Sequence, residues 1–177
     1  MRIAALSGMR IDEICCLRVR DCEGGFFDVR EAKSPAGVRR VPIHSDLKNL
    51  LTARTRGKHP ESFLFPELPE VPAGVARERS MPLSKRFGRY RIRVGVDERV
   101  EGRRRGLVNF HSFRRWFITK AEHAGQLPHI IASVVGHEHQ GETLGTYWQG
   151  ASDKALRECV EAVSLPKPRP LNRKLAA

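Results

Sequence analysis

The stretch NFHSFRRWFITKAEHAG, residues 109–125, carries the clearest structural pattern in this chain of 177 residues. Asn109 is a typical N-cap residue, and apolar side chains recur after it at helical spacing. The apolar positions are Phe110, Phe113, Phe117 and Ala121. Gly125 suits the end of a helix. The pattern therefore predicts an amphipathic helix from Phe110 to about Ala124.

The next stretch, QLPHIIASVVGH (residues 126–137), predicts a second helix. Pro128 suits a first turn, and Gly136 occupies the position of a left-handed C-terminal cap. The apolar residues between them are Ile130, Ile131, Val134 and Val135. His137 therefore emerges just beyond the end of a helix.

Towards the N-terminus, the sequence predicts a short helix followed by a hairpin. Ile11 to Val19 has helical spacing after the break at Ser7-Gly8. Phe26 to Arg30 and Val38 to Ile43 read as strands, separated by a turn composition that places Lys33 near the hairpin tip.

The remaining segments are mainly helical. Ser45-Asp46 is a candidate cap for a helix through Leu51, and Leu83 to Val94 is a basic helix candidate. Residues 67–80 read as a loop, and a last helix is expected from Ser152 to Val163. The fold class is therefore α+β, mainly helical with a small antiparallel sheet.

Composition narrows the function classes. Hydrophobic residues make up 40% and charged residues 29%, which is typical of a globular protein, and no apolar run is long enough to cross a bilayer. The net charge of +12 favours a polyanionic partner, with a merely solvated basic surface as the alternative. The four cysteines lack zinc-knuckle spacing, so reduced thiols and a cytoplasmic location are expected.

Several separated segments place a polar residue beside a helix end. Arg10 begins a helix, and Glu13, three residues later, can hold its guanidinium. His111 and Arg114 are also three apart and share a helix face, which lets both approach one oxyanion. Taken singly, Arg10, His111, Arg114 and His137 could each be an ordinary surface group. His137 and His139 are two residues apart, which is only a weak indication of a metal site.

The ordered set of these segments resembles the tyrosine recombinase family, the phage-type integrases. The matching motifs are Gly8-Met9-Arg10-Ile11-Asp12-Glu13, a hairpin lysine at Lys33, His111 to Arg114, Gly136-His137, and Tyr147 ten residues after that histidine. Phe63-Leu64-Phe65-Pro66 and Arg40-Val41-Pro42 are also similar to family segments.

The resemblance implies site-specific cleavage and rejoining of double-stranded DNA through a covalent 3′-phosphotyrosine. Tyr147 would be the nucleophile, and Arg10, Arg114 and His137 would stabilise the negative charge on the phosphate. His111 would handle the tyrosine proton, and Lys33 would protonate the leaving 5′ oxygen. The alternative for Lys33 is a solvated turn residue. The cationic groups would take the place of a metal, so neither a metal nor another cofactor is expected.

The DNA backbone would be contacted by basic residues outside that set: Arg86, Arg89, Arg103, Arg104, Arg105 and Arg115. Residues 1–165 are expected to form a catalytic domain without the family's N-terminal DNA-binding domain, and residues 166–177 a basic, proline-rich tail, part of which could be vector-derived. The family also implies a homo-oligomer, a tetramer on DNA, in which the segment after the tyrosine often packs on a neighbouring subunit. Ala155, Leu156, Cys159 and Val163 could supply the apolar face for that contact, or could pack within the same chain.

Two other functions are compatible with the sequence. The first is a truncated or decayed recombinase that only binds DNA, and the second is a generic basic RNA-binding protein. The intact set of candidate residues favours a recombinase over the first, and the aromatic content of only 7% disfavours the second.

Overall fold

Helices dominate the computed structural model, which describes residues 1–30, 35–72, 76–98, 100–102, 106–138 and 150–167. The helices are α1 (Arg2–Ser7), α2 (Ile11–Cys16), α3 (Lys48–Thr55), α4 (Ala76–Arg93), α5 (Ser112–His123), α6 (Pro128–Val135) and α7 (Asp153–Glu161). The strands are β1 (Phe26–Val29) and β2 (Arg39–Pro42). The predicted α+β class is confirmed.

The centre of the core lies where α1, α5 and α6 meet. Leu6 from α1, Phe117 and Ala121 from α5, and Val134 from α6 are all fully buried. Burying a side chain the size of Leu6 or Phe117 stabilises the fold by about 1.5–3 kcal/mol. The apolar stripes predicted for α5 and α6 are therefore the surfaces that bring these helices together.

The predicted hairpin forms a two-stranded antiparallel sheet. Phe26 pairs with Pro42 and Val29 with Arg39. Two guanidiniums lie close to the centre of the Phe26 ring, that of Arg40 at 3.9 Å and that of Arg157 on α7 at 4.2 Å. These cation–π contacts join the sheet to the last helix.

Helix α7 packs within its own chain, against α6 and β2. The predicted last helix is present, and the Ser152 side chain caps it by accepting a hydrogen bond from the Ala155 N–H. Of the four apolar residues that could have faced another subunit, Leu156, Cys159 and Val163 are buried in this chain, and Ala155 is partly buried against the same core. His44 Nδ1 accepts from the Asp46 N–H, so Nε2 carries the ring proton and donates to the Val163 carbonyl at 2.9 Å.

The prediction of a loop over residues 67–80 was wrong at its end, because α4 already begins at Ala76 and continues through Pro82. Arg79 explains the early start. This residue is fully buried and donates to the carbonyls of Cys15 at 2.8 Å and Phe65 at 2.7 Å. Tertiary hydrogen bonds thus order a first turn that the local composition does not favour.

Two predicted caps were also wrong. His44, not Ser45-Asp46, caps the 3₁₀ turn Ser45–Leu47 that leads into α3. Asn109 Oδ1 accepts from the His111 N–H at 2.9 Å, which forms a turn before α5 rather than its N-cap. Among the residues with described structure, no helix is long and apolar enough to span a membrane.

Candidate functional site

Arg10 lies at the junction between the first two helices. Its backbone is extended (φ −73°, ψ 154°), and α2 begins at the next residue. The predicted contact with Glu13 is confirmed: Arg10 Nη1 donates to Oε1 at 2.9 Å, and the Arg10 N–H donates to Oε2 at 2.8 Å. Glu13 therefore holds both the backbone and the side chain of Arg10.

Gly8 brings this junction against α5. The glycine ends α1 in the left-handed region (φ 63°), and a Cβ here would lie 2.8 Å from Phe117 Cδ1 and 2.9 Å from Val135 Cγ1. Only a residue without a Cβ permits this approach. The Gly8 carbonyl accepts a hydrogen bond from Arg114 Nη1 at 3.0 Å. The backbone that positions Arg10 thus also holds Arg114.

Arg114 is a buried cation with unused hydrogen-bonding capacity. The residue is only 1% exposed, yet its Nη2 has no hydrogen-bond partner among the described atoms. Burial, then the charges of Arg10 and Arg39, lower the pKa of Arg114 to about 10, which leaves the guanidinium charged at neutral pH. A buried, charged donor without a partner is costly unless an acceptor arrives.

His111 and His137 lie close enough to these arginines to respond to their charge. Partial burial lowers the pKa of His111, and the charges of Arg114, Arg115 and Arg10 lower it further. The pKa of His137 is lowered by partial burial and then by Arg114, Arg10 and Arg39. Both imidazoles keep part of their surface open to solvent, and their lowered pKa values make them predominantly neutral at pH 7.

The position of His137 follows from the end of α6. Gly136 adopts the predicted left-handed conformation (φ 70°), and its N–H donates to the Ala132 carbonyl at 2.8 Å. The His137 N–H donates to the same carbonyl at 2.9 Å. Two hydrogen bonds therefore fix the backbone from which the imidazole projects.

Arg39 is a member of this cluster that the sequence analysis missed. Its Nη1 and Nη2 both donate to the Glu13 carboxylate at 3.1 Å. Burial would raise the pKa of Glu13, but the hydrogen bonds and charge of Arg39, together with the hydrogen bonds from Arg10, lower it overall. The alternation of side chains along a strand could have predicted that Arg39 faces inward, because Arg39 and the fully buried Val41 lie on the same face of β2.

The cluster has an excess of positive charge. Arg10, Arg39 and Arg114 contribute three positive charges, and Glu13 contributes one negative charge, which leaves +2 with both histidines neutral. A depression of about 150 Å³ lies beside it. Its lining residues are Met9, Arg10, Ile11, Asp12, Phe110 and His111. The arrangement is chemically suited to hold an anion.

The other candidate residues lie further out or outside the described structure. Arg86 and Arg89 are exposed on α4, which packs beside α2. Arg115 is exposed, and its Nη2 donates to the Leu107 carbonyl at 3.0 Å. Lys33, Tyr147 and the residues 103–105 (Arg103, Arg104 and Arg105) are not among the described residues. Within the described ranges, no three His, Cys, Asp or Glu side chains group as metal ligands.

Comparisons with known proteins identify the family and the fold. A sequence model described as "Phage integrase family" matches residues 1–153. Among solved structures, the chain is similar to the integrase from mycobacterium phage Brujita, with a TM-score of 0.63 and 21% identity. The match covers 98% of this chain and 53% of that one, so this chain spans about half the length of that integrase. Comparison with curated proteins gives no match.

Proposed function

Because the chain belongs to the phage integrase family, we propose that it is the catalytic part of a site-specific DNA recombinase. Tyr147 attacks the scissile phosphate of double-stranded DNA and forms a covalent 3′-phosphotyrosine. Strand exchange and religation then follow by the reverse attack. Residues 1–165 form the catalytic domain in this proposal, and residues 166–177 are a basic tail.

The observation that supports this function best is the Arg114 guanidinium nitrogen Nη2, which has no hydrogen-bond partner among the described residues. Arg114 is buried, remains charged, and lies within electrostatic range of Arg10 and both histidines. A nonbridging phosphate oxygen is the kind of acceptor that Nη2 lacks. The net charge of +2 also matches the negative charge that accumulates on phosphorus as a fifth oxygen bonds to it.

The proposed chemistry balances as a transesterification. The Tyr147 phenolic oxygen bonds to phosphorus, its proton passes to neutral His111, and the bond from phosphorus to the 5′ oxygen breaks. Lys33 gives a proton to that leaving oxygen. The number of phosphate ester bonds is unchanged, so religation needs no additional source of energy.

The lowered pKa values of His111 and His137 fit these roles. A neutral His111 can accept the phenolic proton at pH 7, and a neutral His137 can still donate its ring N–H to a phosphate oxygen. Arg10 and Arg114 then carry the charge compensation. This division of labour assigns proton transfer to one histidine and hydrogen bonding to the other.

DNA and further copies of the chain are the proposed partners. The exposed Arg86 and Arg89 on α4, with Arg115, Arg103, Arg104 and Arg105, contact the DNA backbone in this proposal. A homo-oligomer on DNA, a tetramer, brings the strands together for exchange. The alternative is a noncatalytic DNA-binding module, which would keep the basic surface but form no covalent bond to DNA.

A pool of nicked duplexes tests the function and selects the target site in the same experiment. Each duplex carries random sequence on both sides of a nick, so that a short 5′-hydroxyl fragment is lost after cleavage and the protein stays attached. The chain should form a denaturant-resistant adduct with some members in EDTA, and sequencing the attached DNA identifies the site.

Two variants are the matched controls. Tyr147→Phe should bind the selected DNA with unchanged mobility shift and form no adduct. Arg114→Gln should reduce adduct formation by several orders of magnitude, because a phosphate oxygen then loses a charged donor in a buried site. A mobility shift without adduct in the unaltered chain would support the noncatalytic alternative. An undiminished adduct in Tyr147→Phe would remove Tyr147 from its role.

A further inference from the structure

We infer that Arg39 is a positioning residue, which holds Arg10 through Glu13 and holds the His137 segment through the end of α6. Arg39 Nη1 and Nη2 bond both oxygens of the same carboxylate that binds Arg10. Its Nε donates to the Val134 carbonyl in the last turn of α6 at 2.7 Å. This role rests on the proposed recombinase function.

The geometry excludes a direct contact between Arg39 and DNA. The side chain is only 7% exposed, and Nε, Nη1 and Nη2 all have acceptors, including the Gly37 carbonyl at 2.7 Å from Nη1. A guanidinium with this many internal bonds has little left to offer a phosphate. Its effect on the reaction must therefore pass through the groups it holds.

The packing of Gly136 is an independent observation for the same role. A Cβ at Gly136 would lie 2.8 Å from Arg39 Nη1 and 3.0 Å from Arg39 Cδ. The glycine is therefore needed for close approach as well as for its left-handed conformation. This contact between β2 and the end of α6 therefore helps to fix the position of His137, the next residue.

Arg39 thus joins three separate segments of the chain. It lies on β2, it bonds Glu13 on α2, and it bonds Val134 on α6. The positions of the contacting groups matter for a phosphoryl reaction, because a misplacement of about 1 Å can cost about 100-fold in rate. Loss of Arg39 should loosen Arg10 and His137 together while leaving Arg114 bonded to the Gly8 carbonyl.

Arg40 provides a matched control on the same strand. It carries the same charge, its side chain is 53% exposed, and it pairs with Asp28 and Asp153 outside the cluster. With the selected nicked duplex, Arg39→Gln should lower the rate of adduct formation at saturating DNA by about 10- to 100-fold. The DNA concentration for half-maximal rate should change by less than about threefold, since phosphate contacts elsewhere set affinity. Arg40→Gln should leave the saturated rate unchanged.

A second variant separates positioning from simple loss of stability. Arg39→Gln leaves Glu13 buried beside one fewer cation, so its melting temperature should fall. The double variant Glu13→Gln/Arg39→Gln removes both charges and should recover part of that stability. A positioning role predicts that the saturated rate stays low in the double variant. A rate that recovers in step with the melting temperature would overturn the inference.

Hydrogen exchange in the DNA-free protein decides the inference even if no adduct forms. Arg39→Gln should speed exchange in peptides covering residues 9–16 and 130–138, and Arg40→Gln should not. Unchanged exchange in both peptides, or an unchanged saturated rate, would refute the positioning role. Absence of an adduct in the unaltered chain would instead refute the recombinase proposal, and the exchange result would still stand for Arg39.

Discussion

Replacing Gly8 by alanine should damage both the core and the candidate site. Gly8 has φ 63°, and its missing Cβ would lie 2.8 Å from Phe117 Cδ1 and 2.9 Å from Val135 Cγ1. Both neighbours are fully buried and cannot move aside freely. A left-handed conformation costs a residue with a side chain about 1–2 kcal/mol, and overpacking a filled core costs about 1–3 kcal/mol. The expected loss is therefore about 2–5 kcal/mol.

Gly57→Ala isolates the packing contribution. Gly57 is also left-handed (φ 70°), but nothing lies within 4 Å of the position that its Cβ would occupy. Gly57→Ala therefore carries the conformational cost alone, about 1–2 kcal/mol. Replacing glycine by alanine also lowers the conformational entropy of the unfolded chain, and this effect on stability is the same at both positions. It therefore cancels when the stabilities of the two variants are compared.

Urea unfolding followed by circular dichroism measures both free energies. Gly8→Ala should be less stable than Gly57→Ala by about 1–3 kcal/mol, or about 2–12 °C in melting temperature for a chain of this size. Gly8→Ala should also slow adduct formation, because the Gly8 carbonyl that holds Arg114 must shift. Equal stability of the two variants would refute the packing account of this glycine.

Three further predictions concern charge. Glu13→Gln should lower the free energy of unfolding by up to about 3–5 kcal/mol at pH 7. Burial raises the Glu13 pKa but Arg39 and Arg10 lower it overall, so this contribution is present above pH 4.5 and is lost as the pH falls through the folded-state pKa. The difference in unfolding free energy between the variant and the unaltered chain, measured with urea, should therefore be smaller at pH 3 than at pH 7. An equal difference in unfolding free energy at the two pH values would contradict this account of Glu13. Partial burial and neighbouring guanidiniums lower the pKa of His111 and His137. The rate of adduct formation at low DNA concentration should therefore fall off on the acid side with a midpoint below pH 6.5. A midpoint above pH 7 would contradict the lowered pKa values. Replacing Arg86 and Arg89 by glutamine should reduce the salt slope of DNA binding by about 1.8, as measured by fluorescence anisotropy, and an unchanged slope would remove both from the interface.

Local patterns predicted the elements that position the site. The left-handed Gly136 cap, the hairpin and the pairing of Arg10 with Glu13 were all predicted from residue types and their local spacing and are present. These features involve residues close in the sequence, where helix and strand periods fix which side chains are neighbours. The early start of α4 was missed because Arg79 is held by carbonyl groups from distant segments.

The sequence by itself determined the fold class and the chemical types available to the site, since these depend on residue identity and short-range spacing. The order of the motifs along the chain resembled one family, and the family match over residues 1–153 agrees with that resemblance. Only the tertiary structure decided that Arg114 is buried with an Nη2 that lacks a partner among the described residues, that Arg39 shares Glu13 with Arg10, and that α7 packs on its own chain. Those outcomes depend on contacts between residues far apart in the chain. Local propensity cannot determine them, because burial and charge compensation are properties of the assembled core.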